Sequence, residues 1–143
     1  MSEVAVDHAQ LVPHPIPVEP VARILLYAMR RMAIGGLDDA HAANVLLGQF
    51  GLSYRRPLII LRALMLEVSS TSQRSISIAP CCCRRMTADE ALLLGSVESA
   101  TGRPDLACRL MAELTATLDC LAPVSAAQAL GQAFEDMGRK VVL

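Results

Sequence analysis

Ser53-Tyr54-Arg55-Arg56-Pro57-Leu58-Ile59-Ile60-Leu61-Arg62-Ala63-Leu64-Met65-Leu66-Glu67-Val68 decides the fold. Ser53 is placed to cap a helix. Pro57 falls in the first turn, where a missing N–H costs little because that N–H has no intrahelical acceptor anyway. Beyond it the helix is apolar nearly all round, which suits the centre of a bundle or a position partly in a subunit interface. Arg62 and Glu67 interrupt the run, and Leu58 to Val68 is too short to cross a bilayer. Arg62 either pairs with an acid across the bundle or extends its charged head to solvent.

Helix punctuation continues in both directions. Upstream, Pro20 suits a first helical turn, and Val21, Ile24, Leu25, Ala28 and Met32 form a stripe that Gly35-Gly36 stops. Asp38 or Asp39 caps a second helix, with Ala43, Leu46, Leu47 and Phe50 on its apolar face and Gly51 at its end. Downstream, Ser69 to Pro80 reads as a Ser-rich loop or short extended segment. Thr87-Ala88-Asp89-Glu90 is a capping box opening a helix with Leu93, Leu94, Val97 and Ala100, closed by Gly102. Pro104 opens the next, with Ala107, Leu110, Met111, Leu114, Leu118 and Leu121 as its stripe and Pro123 as its end. Ser125-Ala126-Ala127-Gln128 then reads as a second capping box, before a last helix stopped at Gly138. The expectation is an all-α bundle of about five to six helices over 20–143. Residues 1–19 form a Pro-rich extended or disordered tail without regular structure.

Composition supports this reading. Of the 143 residues, 53% are hydrophobic but only 3% aromatic, so the core must be aliphatic. Aromatic platforms for stacking single-stranded nucleic acid are correspondingly scarce. The formal net charge of -1 provides no global basic field for nucleic acid. Met1-Ser2-Glu3-Val4 lacks a secretory pattern, and five cysteines without framework spacing fit a reducing compartment; the expected location is the cytoplasm.

Cys81-Cys82-Cys83 followed by Arg84-Arg85 is the chemically distinctive stretch. Positive charge beside a thiol favours its nucleophilic form, so these five residues are a candidate thiol site, redox-active or metal-binding. The spacing is poor for zinc, whose ligands generally sit two to four residues apart. Adjacent side chains diverge, and only Cys81 and Cys83 share a side. Further metal ligands would have to come from Cys108, Cys120, His41 or Asp38-Asp39. The simpler alternative is a set of small residues packing a loop onto the bundle. No complete catalytic or cofactor motif surrounds them, and the pattern leans away from an enzyme.

A second candidate is a helix-turn-helix over Leu46 to Arg56. Gly51 would permit the turn, Leu52 would anchor it, and Tyr54, Arg55 and Arg56 would contact nucleic acid. Leu47 stands where close helix packing usually needs a small residue, and the helix beyond is too apolar for a groove.

Gly51-Leu52-Ser53-Tyr54-Arg55-Arg56-Pro57-Leu58 and Ile78-Ala79-Pro80-Cys81-Cys82-Cys83-Arg84-Arg85-Met86-Thr87-Ala88-Asp89-Glu90 resemble a small family of alphaproteobacterial proteins of the domain-of-unknown-function kind. The resemblance implies a bacterial, cytosolic, all-helical protein and carries no activity or cofactor. Surplus apolar surface on the third helix, at Leu92-Leu93-Leu94 and at Met111 points to a homodimer or another protein partner. Nucleic acid and membrane partners are disfavoured.

Overall fold

The computed structural model describes residues 14–143. Six α-helices make up the body: α1 (Pro20–Gly35), α2 (Ala40–Phe50), α3 (Arg55–Thr71), α4 (Ala88–Ser99), α5 (Pro104–Thr115) and α6 (Leu121–Asp136). The all-α reading holds. α3 packs chiefly on α6, α4 on α5, and α1 on α2, with α4 and α5 both touching α6. The interior is aliphatic, built from Leu25, Leu61, Leu93, Met111 and their neighbours. The two phenylalanines meet at one end, Phe50 and Phe134 lying 5.5 Å apart between ring centroids, with the Arg139 guanidinium over Phe50.

Several local signals act where the sequence places them. Pro20 opens α1, and Gly36 ends it at φ 92°, a conformation that strains any residue with a Cβ. Asp39, rather than Asp38, caps α2 by accepting from the Ala42 N–H at 3.0 Å. The Thr87–Glu90 capping box forms in full.

Other expectations are corrected. Ser53 caps nothing. The chain passes from α2 through a 3-10 turn, Gly51–Tyr54, directly into α3, and no side chain caps that junction. A tight turn running into a helix already offers carbonyls to its first N–H groups. α3 also continues through Ser69 and Ser70 to Thr71, so the irregular strap begins only at Ser72. α5 ends earlier than its stripe implies. Ala116 turns left-handed at φ 56°, and the Thr115 carbonyl accepts from the Gln73 N–H at 2.8 Å. A residue of the strap after α3 thus captures the end of α5. Leu118 is consequently 92% exposed, and Leu121 opens the next helix instead of closing the last. Pro123 sits in the first turn of α6, where its missing N–H is harmless, and Ser125 is helical, so the second capping box does not form.

At its described end the tail is extended and docks on the body. His14–Pro15 is a short strand, β1, paired antiparallel with Arg85–Met86, β2, in the register His14 with Met86 and Pro15 with Arg85. Residues 1–13 of the expected tail lie outside the described residues.

Gly131 sets the closeness of α4 and α6. A Cβ there would come within 3.2 Å of both the Val97 carbonyl oxygen and Thr101 Cγ2. Alanine gains about 1 kcal/mol of helix propensity, but overpacking against backbone costs about 1–3 kcal/mol. Gly131→Ala is therefore expected to destabilise the protein by about 1 kcal/mol in urea unfolding, against the usual sign for such a change in a helix.

Candidate functional site

α1 buries a charge. Arg30 is only 2% exposed and its nearest acid is Glu90, 1% exposed, at the start of α4. The pair is bidentate: Nε donates to Glu90 Oε2 at 2.7 Å and Nη2 to Oε1 at 3.0 Å. Arg30 also donates to the Cys83 and Arg85 carbonyls, each at 2.7 Å. Glu90 accepts in addition from the Thr87 N–H of its capping box at 2.9 Å and from the Ala79 N–H at 3.3 Å. Burial works against the guanidinium charge, and the Glu90 carboxylate more than offsets it, holding the Arg30 pKa above its ordinary value.

The neighbouring carboxylate grips the strap. Asp89 accepts from Arg74 at 2.5 and 3.2 Å and from the Ser77 N–H at 2.7 Å. Burial opposes its ionisation, but these donors prevail and its pKa lies below the usual carboxylate value. The Thr87 hydroxyl caps the Glu90 N–H at 3.0 Å and donates to the Ser77 carbonyl at 2.7 Å. Asp89 and Glu90 thus hold the strap to the bundle.

On this frame sits the cysteine turn. The Cys83 N–H donates to the Pro80 carbonyl at 3.0 Å, closing a four-residue turn. Cys81 and Cys83 are half-buried and Cys82 is exposed. As the spacing suggests, the outer two share a side: both line a cavity of about 140 Å³ with Ile16, Arg23, Tyr27 and Arg30. Arg31 Nη1 lies 3.9 Å from Cys81 Sγ, while the rest of that guanidinium pairs with Asp39 at 3.1 Å. That pairing, followed by burial and the Ala42 N–H, sets the Asp39 pKa below its ordinary value, the donors outweighing burial. The Cys83 thiol donates to the Arg85 carbonyl at 3.3 Å. Arg84 and Arg85 are exposed. Sequence spacing brought only those two arginines to the thiols; Arg30 and Arg31 arrive through tertiary packing.

The other suggested ligands do not gather here. Cys108 on α5 and Cys120 before α6 associate with each other, the Cys120 thiol 3.8 Å from the Cys108 carbonyl oxygen. Burial, assisted by Cys108 and Asp119, pushes the Cys120 thiol pKa up. His41 is exposed on α2. Among the described residues no group of three or more His, Cys, Asp or Glu is placed to hold a metal ion.

The residues of the turn-and-helix candidate lie in different surroundings. Leu52, expected to anchor the turn, is 92% exposed, and Leu47 also faces outward. Tyr54 is half-buried against the core. Arg55 is exposed, and Arg56 pairs with Asp136 of α6 at 2.8 Å. α3 buries Leu58, Leu61, Leu64 and Val68; its outward face carries Ile59, Ala63 and Leu66, which offer no hydrogen-bonding groups to base edges. Arg62, in turn, donates to the Leu37 carbonyl at 2.9 Å with Asp38 3.9 Å away.

The sequence profile of a family of unknown function, DUF6628, matches residues 5–141. The chain belongs to this family. No curated protein and no solved structure matches it. The DUF6628 match runs from before β1 to the C-terminal segment, so it takes in the cysteine turn, the Arg30–Glu90 pair and all six helices. No helix among the described residues is long and apolar enough to cross a membrane.

Two predictions follow from the buried charges. Glu90→Gln leaves the Arg30 charge without its counterion and is expected to cost about 3–5 kcal/mol by urea denaturation. Replacing both partners, as R30M/E90L, recovers only part of that loss, because the Cys83 and Arg85 carbonyls and the Ala79 and Thr87 N–H groups lose partners. A double variant as stable as wild type would contradict this arrangement. For pH, Asp89 is depressed in the folded state, so its contribution is present above the unfolded Asp value of about 3.9 and lost as pH falls through the folded value. Melting temperatures of wild type should fall below about pH 4, with a shallower fall in Asp89→Asn.

Proposed function

We propose that this protein acts by self-association, two copies packing antiparallel across the outer face of α3. The observation that supports it is the stripe Ile59, Ala63 and Leu66, spaced as neighbours on one helix face; Ile59 is 62% and Leu66 50% exposed. Leu52 extends the apolar surface just before the helix. Small Ala63 between two large side chains leaves a hollow into which a partner's Ile or Leu can seat. The charges favour a second copy in antiparallel register: Arg55 lies at one end of the face and Glu67 at the other, so a two-fold axis near Ala63 brings opposite signs together. The remaining apolar surplus noted in sequence needs no partner, because Leu93, Leu94 and Met111 are core residues.

In this reading 20–143 acts as one bundle, with 1–19 as a tail that reaches the body at β1. The five cysteines fit a reducing, cytoplasmic setting. The likeness to a helix-turn-helix carries no weight here, since the outward face of α3 is apolar.

Size-exclusion chromatography with light scattering tests the proposal. Wild type is expected at twice the chain mass. Ile59→Glu and Leu66→Glu should each yield monomers with unchanged helical circular dichroism. A wild-type monomer at micromolar concentration would end the proposal, as would dimers that both substitutions leave intact.

A further inference from the structure

We infer that Cys81 and Cys83 form a redox-active dithiol that closes to a disulfide within its turn when a hydroperoxide oxidises one of the two sulfurs. Geometry selects this pair. The Pro80–Cys83 hydrogen bond folds the segment into a tight turn, bringing residues two apart into the Cα range of about 4.4–6.8 Å that a disulfide spans. Consecutive residues across a trans peptide are held at about 3.8 Å, below that range, so neither sulfur pairs readily with Cys82. Cys82 instead points to solvent, while Cys81 and Cys83 open on one cavity.

The cavity suits a small peroxide. At about 140 Å³ it exceeds the volume of a few water molecules, each occupying about 30 Å³ in the liquid. Arg23 and Tyr27 add polar groups to a lining that also includes Ile16 and Leu26, and the Arg31 guanidinium lies against Cys81 Sγ. Cationic N–H donors of this kind stabilise an oxyanion leaving group. Cys81, the sulfur with the guanidinium contact, attacks first. Its sulfur takes the distal oxygen of the hydroperoxide, the O–O bond breaks, and the alkoxide or hydroxide takes up the thiol proton and leaves as alcohol or water. The Cys83 sulfur then attacks the Cys81 sulfenic acid. The S–O bond breaks, the hydroxyl leaves as water with the Cys83 proton, and the disulfide forms. The dithiol loses two electrons and two protons, and the peroxide accepts both.

The Cys108–Cys120 pair lacks these features. Cys120 is buried, held toward its thiol form, and faces a carbonyl.

Trypsin makes the test direct, because cleavage after Arg74 and Arg84 releases all three cysteines on one peptide, Ser75–Arg84. The reduced full chain is treated with equimolar hydrogen peroxide, remaining thiols are blocked with iodoacetamide, and the digest is read by mass spectrometry. Expected is a Ser75–Arg84 peptide lacking two hydrogens, with a single label, on Cys82; dithiothreitol restores all three labels. Cys82→Ser should still close the disulfide. Cys81→Ser should leave Cys83 unoxidised at this dose, and Cys83→Ser should stop at a sulfenic acid trapped by dimedone. The inference is overturned if Ser75–Arg84 keeps all three labels, if Cys82 loses its label in place of Cys81 or Cys83, or if oxidation links two chains on a non-reducing gel.

Discussion

Arg30 and Glu90 meet almost out of contact with water, and between them they join α1, the strap, β2 and the first turn of α4. A charge buried to this degree is stable only when its donors and acceptors are occupied. Here the protein groups that occupy them are the backbone of the cysteine turn and of the segment beside it. The strap from Ser72 to Met86 has little regular structure of its own, and its path follows from those bonds together with the Asp89–Arg74 pair. The β1–β2 pairing depends on the same frame, because Arg30 fixes the Arg85 carbonyl at the strand that His14–Pro15 joins.

This frame gives the two distinctive surfaces of the molecule different characters. The cysteine turn is tied at its backbone to Arg30, and Cys81 and Cys83 line one small cavity. The outer face of α3 is apolar and carries no such network; its buried side is anchored on α6. One surface is suited to chemistry at sulfur and the other to contact with a second helix. Neither requires the other.

Helix starts and stops were legible wherever the deciding group lies within a few residues. Pro20, Gly36, Asp39 and the Thr87–Glu90 box all act through local backbone geometry, and all behave as read. The misreadings fall where a distant group intervenes. The stripe of α5 runs on in sequence through Leu118 and Leu121, but the Gln73 N–H, from the other side of the molecule in sequence, takes the Thr115 carbonyl and the helix ends there. Pro123, equally consistent with ending one helix or beginning the next, then does the latter. In the candidate site, the shared side of Cys81 and Cys83 was visible from alternation alone. The arginines of α1 beside them were not, because no local rule links residues on different helices.

The sequence by itself determined an aliphatic, all-helical chain, the proline start and glycine stop of α1, the capping box of α4, and a pair of cysteines on one side of a short segment. These follow from propensity, proline and glycine geometry and side-chain alternation, which act over a few bonds. Only the tertiary structure decided that Glu90 serves both its own cap and the Arg30 charge, that Arg31 lies against Cys81, and that Ile59 and Leu66 remain outside while Leu93, Leu94 and Met111 go inside. An apolar residue reads the same in sequence whether it is buried or exposed, and a charge reads the same whether paired or solvated. Which of these holds depends on the element that packs across from it.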